Sequence, residues 1–338
     1  MKRPNLSMWL KALTIVPRVS KEEWDNLDGI SKWLIATRSV VLIMTFLSSA
    51  IGGLLAYKLG KFHFMPWLIC TIGLILAHST NNLLNDFIDH FQGVDRGNYF
   101  RVQYGPQPLE SGLMSWKTHL LYIFFTGFFA LVIGLYLIYL RGLVALLLFL
   151  LGAFFLLFYT FPLKYIGVGE LAVLIVWGPL MVGGSYFITS GEWNWQVVIA
   201  SLPYALGVTT VLLGKHLDKY EFDKQRKIRT LPVLLGESRG RALTIFCMLA
   251  QYLSVIYLVI IRFFSPVLLV VLFILPSFFY VYGIYKGPKP KEKPEGYRDD
   301  VWPLWFVAGA FWHNRRFGIA YIVGLIIDVV LTKIRIGF

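Results

Sequence analysis

The chain is 338 residues long, 57% hydrophobic and 17% aromatic, with only 15% charged residues, against the roughly 25% usual in soluble domains. That composition excludes an ordinary soluble domain. The two cysteines, Cys70 and Cys247, both fall in apolar runs, with no CxxC or Cys/His cluster, which excludes a disulfide framework and a zinc site.

The first 35 residues are basic and mixed, with neither an apolar core nor a small-residue cleavage site, and read as a cytoplasmic N-terminal segment, 1–35, without a signal peptide. From residue 36 the apolar residues come in runs such as "LIMTFLSSAIGGLLAY", "LLYIFFTGFFALVIGLYLIYL" and "LVALLLFLLGAFFLLFYTF". These approach or reach the roughly 20 residues that cross a 30 Å hydrocarbon layer. They predict nine helices, near 36–58, 66–85, 119–139, 142–161, 168–188, 196–214, 242–261, 265–284 and 317–333. The expected fold is therefore an all-α polytopic membrane bundle over 36–338, a single domain embedded in the lipid bilayer.

The net charge of +13 is a matter of orientation before it is a matter of partners. Of the 32 lysines and arginines, 26 fall in alternate connections that lie on one side of such a bundle; Lys58, Lys61, Arg141, Arg262, Lys333 and Arg335 lie on the other. Basic loops stay in the cytoplasm. The expectation is a multi-pass cell-membrane protein with its N-terminus inside and its C-terminus outside, and no nucleic-acid partner.

The acids collect at the same inner ends. In "NNLLNDFIDHFQGVD", residues 81–95, the spacing puts Asn82, Asp86 and Asp89 on one helical face, and Asp95 follows Gly93. Carboxylates on adjoining turns repel one another unless a cation lies among them. Hard oxygen donors in this number suit Mg²⁺, which leaves positions for substrate phosphates. The blander alternative, acids capping a solvated helix end, runs against the negative C-terminal pole of the helix.

The next inner loop, "RVQYGPQPLESG", carries Arg101 in a Gly/Pro-rich setting that reads as a cover over a site. "YTFPLKYIGVGE" places Tyr159, Lys164 and Tyr165 in a tight inner loop within reach of a diphosphate, although Lys164 fits equally as a snorkelling anchor. In "LGKHLDKYEFDKQRKIRTLPVLLGE", Asp218, Glu221 and Asp223 alternate with Lys215, Lys219, Lys224, Arg226, Lys227 and Arg229. This is either an ordinary basic loop or the second half of a metal–diphosphate clamp, its basic groups meeting phosphate oxygens. Trp302, Trp305 and Trp312 with Arg315 and Arg316 read as an interfacial belt with its anchors. His78, His90, His119 and His313 carry no assigned role; His216, beside Lys215 and Asp218, is the exception.

With nine helices, "NDFIDHFQGVD" after the second and "DKYEFDKQRKIRTLPVLLG" after the sixth, the chain resembles the UbiA superfamily of intramembrane prenyltransferases. "YGPQPLESGLMS" and "FYTFPLKYIGVGELAVLIVWGPLMVGGSYF" are similar to its 1,4-dihydroxy-2-naphthoate, menaquinone-type branch. The resemblance runs from about residue 36 to 333 and implies a helical bundle with a cytoplasmic-side cap over a central cavity. It implies transfer of a polyprenyl group from a polyprenyl diphosphate to a small aromatic acceptor, a quinone precursor such as a dihydroxynaphthoate. It also implies two Mg²⁺ ions bound with the diphosphate by Asp86, Asp89, Asp95, Asp218 and Asp223. The diphosphate would be met by Asn82, Arg101, Tyr159, Lys164, Lys215, His216 and Lys219, with Lys164 joining the acids as a catalytic group.

The second segment departs from the pattern. Family members commonly carry acids at the positions of both Lys219 and Asp223 and an asparagine pair at those of Lys215 and His216; here Asp218 sits one residue early. One residue turns a helical side chain by about 100°, so Asp218 and Glu221 both stand as candidates for the displaced ligand. The departure leaves open a terpene cyclase on the same scaffold, or a non-catalytic lipid-binding membrane protein. An ion-coupled transporter, by contrast, would place its acids near the bilayer midplane.

Overall fold

The structure, a computed structural model, describes residues 3–15, 17–93, 107–299 and 301–336, and among these every regular element is helical. Eight helical stretches are long and apolar enough to cross a membrane: Ser39–Lys58, Phe64–Phe91, Trp116–Arg141, Gly169–Ser190, Trp195–Asp218, Glu237–Ile260, Pro266–Lys286 and Phe306–Ile334. The ninth expected span, 142–161, is the shorter apolar helix Leu143–Phe158. Contacts divide the chain into two compact units, residues 1–47 with 68–161 and residues 48–67 with 162–338.

In the first unit, three short helices, α1 (Leu6–Thr14), α2 (Lys21–Asn26) and α3 (Gly29–Ala36), precede the first span. Each starts where its sequence provides a cap: Asn5 accepts from Met8 N, Ser20 and Glu23 form a capping box, and Asp28 accepts from Ile30 N and Ser31 N. Asp28 also accepts from Trp9 Nε1 at 3.2 Å and Asn5 N at 3.1 Å, tying α1 to α3. Burial works against its ionisation, but the hydrogen bonds from Ser31, Trp9 and Asn5 outweigh this and hold the carboxyl well below the usual carboxylate range. Ala12, Trp24, Leu27, Ile35 and Ala36 form one buried cluster with Leu83 and Leu113. The N-terminal segment is thus packed on the membrane helices of its own unit.

Two long helices, α4 (Leu42–Lys58) and α5 (Phe64–Phe91), are shared between the units. At 1.5 Å per residue the 28 residues of α5 span about 42 Å, some 12 Å more than a hydrocarbon layer. The surplus carries the acids expected beyond 85. The pair α6 (Trp116–Arg141) and α7 (Leu143–Phe158) completes the unit, joined at Gly142. Phe124, Phe128, Leu131 and Leu135 on α6 are exposed, an apolar face suited to lipid.

The second unit is arranged around one buried helix. It contains α8 (Gly169–Ser190), α9 (Trp195–Asp218), α10 (Tyr220–Gln225), α11 (Leu231–Leu235), α12 (Glu237–Ile260), α13 (Leu275–Lys286) and α14 (Phe306–Ile336). Helix α8 is π-helical over Val176–Gly183, where Pro179 has no N–H to offer an α-helical ladder. Helix α9 packs against α8, α12 and α14. A Cβ on Gly214 would lie 2.7 Å from Tyr285 Oη and 2.9 Å from Val307 Cα, so glycine permits the close approach of α9 to the start of α14.

Helix α14 begins at Phe306, eleven residues before the expected 317. Of the stretch read as an interfacial belt, Trp312, Arg315 and Arg316 lie in its first turns, and Trp302 and Trp305 precede it. Its polar residues are locally matched: His313 bonds Tyr252 Oη at 2.8 Å, and the Arg316 guanidinium stacks 3.7 Å over Trp312.

Far along the chain from the acidic segments, Lys58 pairs with Asp328. Lys58 also donates to the Phe263 carbonyl at 2.6 Å, Ser265 N donates to Asp328 Oδ1 at 2.8 Å, and the ammonium lies 4.9 Å from the Phe264 ring. Both side chains are buried. Breaking one partner of such a pair strands a charge and typically costs about 3–5 kcal/mol, whereas replacing both can be neutral. Lys58→Met is therefore expected to lower the thermal midpoint of the purified protein in detergent markedly, and Lys58→Met/Asp328→Leu to recover most of the loss.

Candidate active site

Helix α5 turns one face of its last two turns inward. Asp86 is 1% exposed and Asp89 not at all. Asp86 pairs with the Arg38 guanidinium. The asparagines alongside are used as struts: Asn81 Nδ2 donates to Leu156 O at 2.9 Å, Asn82 Nδ2 to Thr37 O at 2.8 Å and Asn85 Nδ2 to Thr160 Oγ1 at 3.1 Å. They hold α5 against the end of α3 and the end of α7, where Tyr159 stands as C-cap.

Arg38 itself adopts a left-handed backbone conformation, φ 53° and ψ 53°. For a non-glycine residue this costs about 1–2 kcal/mol, and it ends α3 so that the guanidinium meets Asp86. By sequence Arg38 was one orientation charge among many; nothing in its neighbourhood marks it as the partner of an acid 48 residues on.

The remaining expected residues of this unit, Asp95 and Arg101, lie outside the described residues. Lys164, Lys215, His216, Asp218, Lys219 and Asp223 all belong to the second unit. Lys164 is buried in a 3₁₀ turn, Leu163–Ile166, with its ammonium 5.8 Å from the Tyr165 ring. The turn closes at Gly167, φ 78°, where a Cβ would meet Leu234 Cδ1 at 2.2 Å.

His216 Nδ1 donates to Glu170 Oε1 at 2.6 Å, and Glu170 also accepts from Leu231 N at 3.1 Å. Both side chains are almost wholly buried. Glu170 joins the start of α8, the end of α9 and the start of α11, and sequence reasoning passed over it. The available signal was a lone carboxylate opening an apolar helix, which by default marks a functional or paired group.

Asp218 is fully occupied. Its Oδ1 accepts from Trp305 N at 3.1 Å and Phe306 N at 3.0 Å, and its Oδ2 from Val307 N at 3.0 Å, so it caps the N-terminus of α14. Lys289 Nζ lies 3.5 Å from Oδ1. Burial pushes the Lys289 ammonium below its ordinary range, and the Asp218 carboxylate opposes that shift.

Asp223 sits five residues on, in α10, completely buried. Lys219 Nζ is 3.2 Å from its Oδ1, and among the described residues no hydrogen bond reaches either oxygen. Glu221 is exposed.

Among the described residues no three or more His, Cys, Asp or Glu side chains are gathered closely enough to hold an ion by themselves. The first segment nonetheless fits a hard divalent ion that takes two carboxylates and leaves its other positions to substrate phosphates and water. Asp86 and Asp89 are such a donor set. The second segment does not fit one: Asp218 is engaged by three backbone N–H groups as a helix cap, which leaves Asp223 as a single buried carboxylate with an ammonium against it.

Long apolar helices with buried carboxylates at their ends define a polytopic membrane protein. The chain belongs to the UbiA prenyltransferase family, whose model matches residues 46–314, and it is a membrane prenyltransferase. It is 26% identical to the 1,4-dihydroxy-2-naphthoate octaprenyltransferase of Bacillus subtilis (strain 168), across 86% of this chain and 91% of that one. It is 25% identical to the UbiA prenyltransferase domain-containing protein 1 of Danio rerio, across 70% of each. Its fold is similar to that of a UbiA homolog from Archaeoglobus fulgidus bound to GPP and Mg²⁺, with a TM-score of 0.57 and 15% identity over 87% of this chain and 99% of that one.

A cap with three backbone donors and an ammonium contributes at the upper end of the usual range, so Asp218→Ala is expected to destabilise the protein by about 2 kcal/mol. Denaturant titration in detergent measures this. Hydrogen exchange localises it: the amides of Trp305, Phe306 and Val307 lose protection first.

Proposed function

We propose that the protein transfers a polyprenyl group from a polyprenyl diphosphate to a small aromatic acceptor of the quinone-precursor type, such as a dihydroxynaphthoate, in a metal-dependent reaction within the membrane. The observation that carries the acceptor class is the match to the Bacillus subtilis octaprenyltransferase over nearly the whole of both chains. The donor class is supported by the GPP-bound Archaeoglobus fulgidus homolog of like fold. The buried carboxylates Asp86 and Asp89 are consistent with both.

The chemistry is the breaking of an allylic C–O bond and the formation of a C–C bond. The bonding pair of the C–O bond leaves with the diphosphate, the allylic cation is attacked by an electron-rich ring carbon, and loss of that carbon's proton restores aromaticity. In this reading Asp86 and Asp89, with Asp95 following in sequence, hold Mg²⁺. When bound, that ion neutralises charge on the departing diphosphate. Lys164, Lys215 and Lys219, with Arg101, are proposed to supply fixed positive charge to the same group. Such charge costs no reorganisation when it is already held in place. Tyr159 and the Asn82 carboxamide are proposed to contact the diphosphate, and His216 to act through its bond to Glu170. The apolar faces of the helices hold the prenyl tail and exclude water, which would otherwise capture the cation as an alcohol.

The proposed topology has the N-terminus and the acidic segments on the cytoplasmic side. It is supported by the distribution of 26 of the 32 basic residues.

Purified protein incubated with radiolabelled geranylgeranyl diphosphate, Mg²⁺ and a panel of dihydroxynaphthoate, hydroxybenzoate and other phenolic acceptors is expected to yield a labelled prenyl-aromatic product. EDTA abolishes it, and Asp86→Ala lowers it by about 100-fold or more, the scale of losing one contact to a developing charge. A cyclised hydrocarbon as the only product would replace this reading with that of a terpene cyclase. Absence of turnover with every acceptor would replace it with that of a lipid-binding protein.

A further inference from the structure

We infer that the second acidic segment binds no metal ion: the ammonium of Lys219 occupies the place beside Asp223 that a divalent ion would take, and all metal binding falls to the Asp86 segment. The inference rests on the proposed metal-dependent prenyl transfer and deepens it.

Three observations carry it. First, a divalent ion needs a carboxylate that can turn toward it, and Asp218 is held by the cap it makes. Its Oδ1 accepts two backbone N–H groups and its Oδ2 a third, all at 3.0–3.1 Å, with Lys289 Nζ at 3.5 Å. Turning Asp218 toward an ion would uncap α14.

Second, Asp223 is the one remaining buried carboxylate of the segment, and Lys219 Nζ lies 3.2 Å from it with both groups almost completely buried. Ammonium and metal compete for the same carboxylate, and like charges are held apart strongly where water is scarce. The pair cannot easily swing away. Asp223 N donates to Lys219 O at 2.8 Å, Ile228 N donates to Asp223 O at 2.9 Å, and the Lys219 ammonium also lies 5.6 Å from the Phe222 ring. Third, Glu221 points to solvent and would supply an ion with a single exposed ligand.

The first segment differs in the feature that matters. The cation on Asp86 is a guanidinium brought from another helix end, and Asp89 stands beside it on the same helix face as a second buried carboxylate. There an ion meets one guanidinium but gains two carboxylates. In the second segment it would gain one and meet an ammonium. Lys219 therefore acts as a built-in cation: its charge is part of the chain and does not vary with the concentration of free ion.

The test counts ions rather than product. Full-length protein in detergent, saturated with a non-hydrolysable geranylgeranyl thiodiphosphate, is titrated with Mn²⁺, and bound ion is read by electron paramagnetic resonance. The expected result is that Asp86→Asn removes bound Mn²⁺. Lys219→Met/Asp223→Leu, which keeps the buried site neutral and so protects the fold, leaves the number of bound ions at saturation unchanged. Lys219→Asp, which replaces the ammonium with a carboxylate, adds one ion. Loss of an ion in the Lys219→Met/Asp223→Leu protein overturns the inference, as does a Lys219→Asp protein with no additional ion. Either outcome leaves the prenyl-transfer reading intact, because that reading stands or falls on the labelled product.

Discussion

A carboxylate removed from water must be answered by a cation, by several hydrogen-bond donors or by a proton, and this requirement organises the polar interior of the protein. Five of the buried acids show these solutions. Asp86 takes the Arg38 guanidinium, Asp328 the Lys58 ammonium, Glu170 the His216 imidazole, Asp223 the Lys219 ammonium and Asp218 three backbone N–H groups. Ionisable groups at membrane helix ends are expensive when unmatched, so a match between distant residues also fixes where two or more elements lie. Arg38 sets the end of α3 on α5, Glu170 gathers α8, α9 and α11, and Asp218 decides where α14 begins. The apolar helices supply the bulk of the fold, and these few pairs set its register.

Two kinds of information differed in how plainly they could be read from the sequence. Runs of apolar residues betray a membrane helix because only length and composition are needed, and eight expected spans appear as helices of sufficient length; the run around 150 yields a shorter one. The acids at 86 and 89 are equally plain, because helical spacing relates residues three or four apart, and those at 218 and 223 stand out as acids within a basic run. The partners are not, because they come from far away in the chain: 48 residues separate Arg38 from Asp86, 46 separate Glu170 from His216, and 87 separate Asp218 from the N–H of Trp305. No periodicity encodes such pairings. The early start of α14 was hidden for the same reason. His313 and Arg316 look like surface residues until Tyr252 and Trp312 are placed against them.

The two acidic segments, similar in composition, are built differently. In the first, the amides of Asn81, Asn82 and Asn85 do the structural tying, and the Asp86 carboxylate pairs with Arg38. In the second, a carboxylate does the tying, at Asp218, and its neighbour at 223 is matched within its own turn by Lys219. A count of acids treats the segments as equivalent halves. Which residues do the tying makes them unequal.

The Lys58–Asp328 pair has a consequence for how the chain is made. Its members are 270 residues apart, on α4 and on the last helix. At about 5–20 residues per second, Lys58 leaves the ribosome roughly 15–50 s before its partner. Throughout that interval the ammonium must stay at the head groups at the end of its helix, and the bundle around it cannot close. Completion of the last helix therefore licenses the burial of a residue near the first. A chain cut short before α14 lacks the carboxylate against which Lys58 is buried.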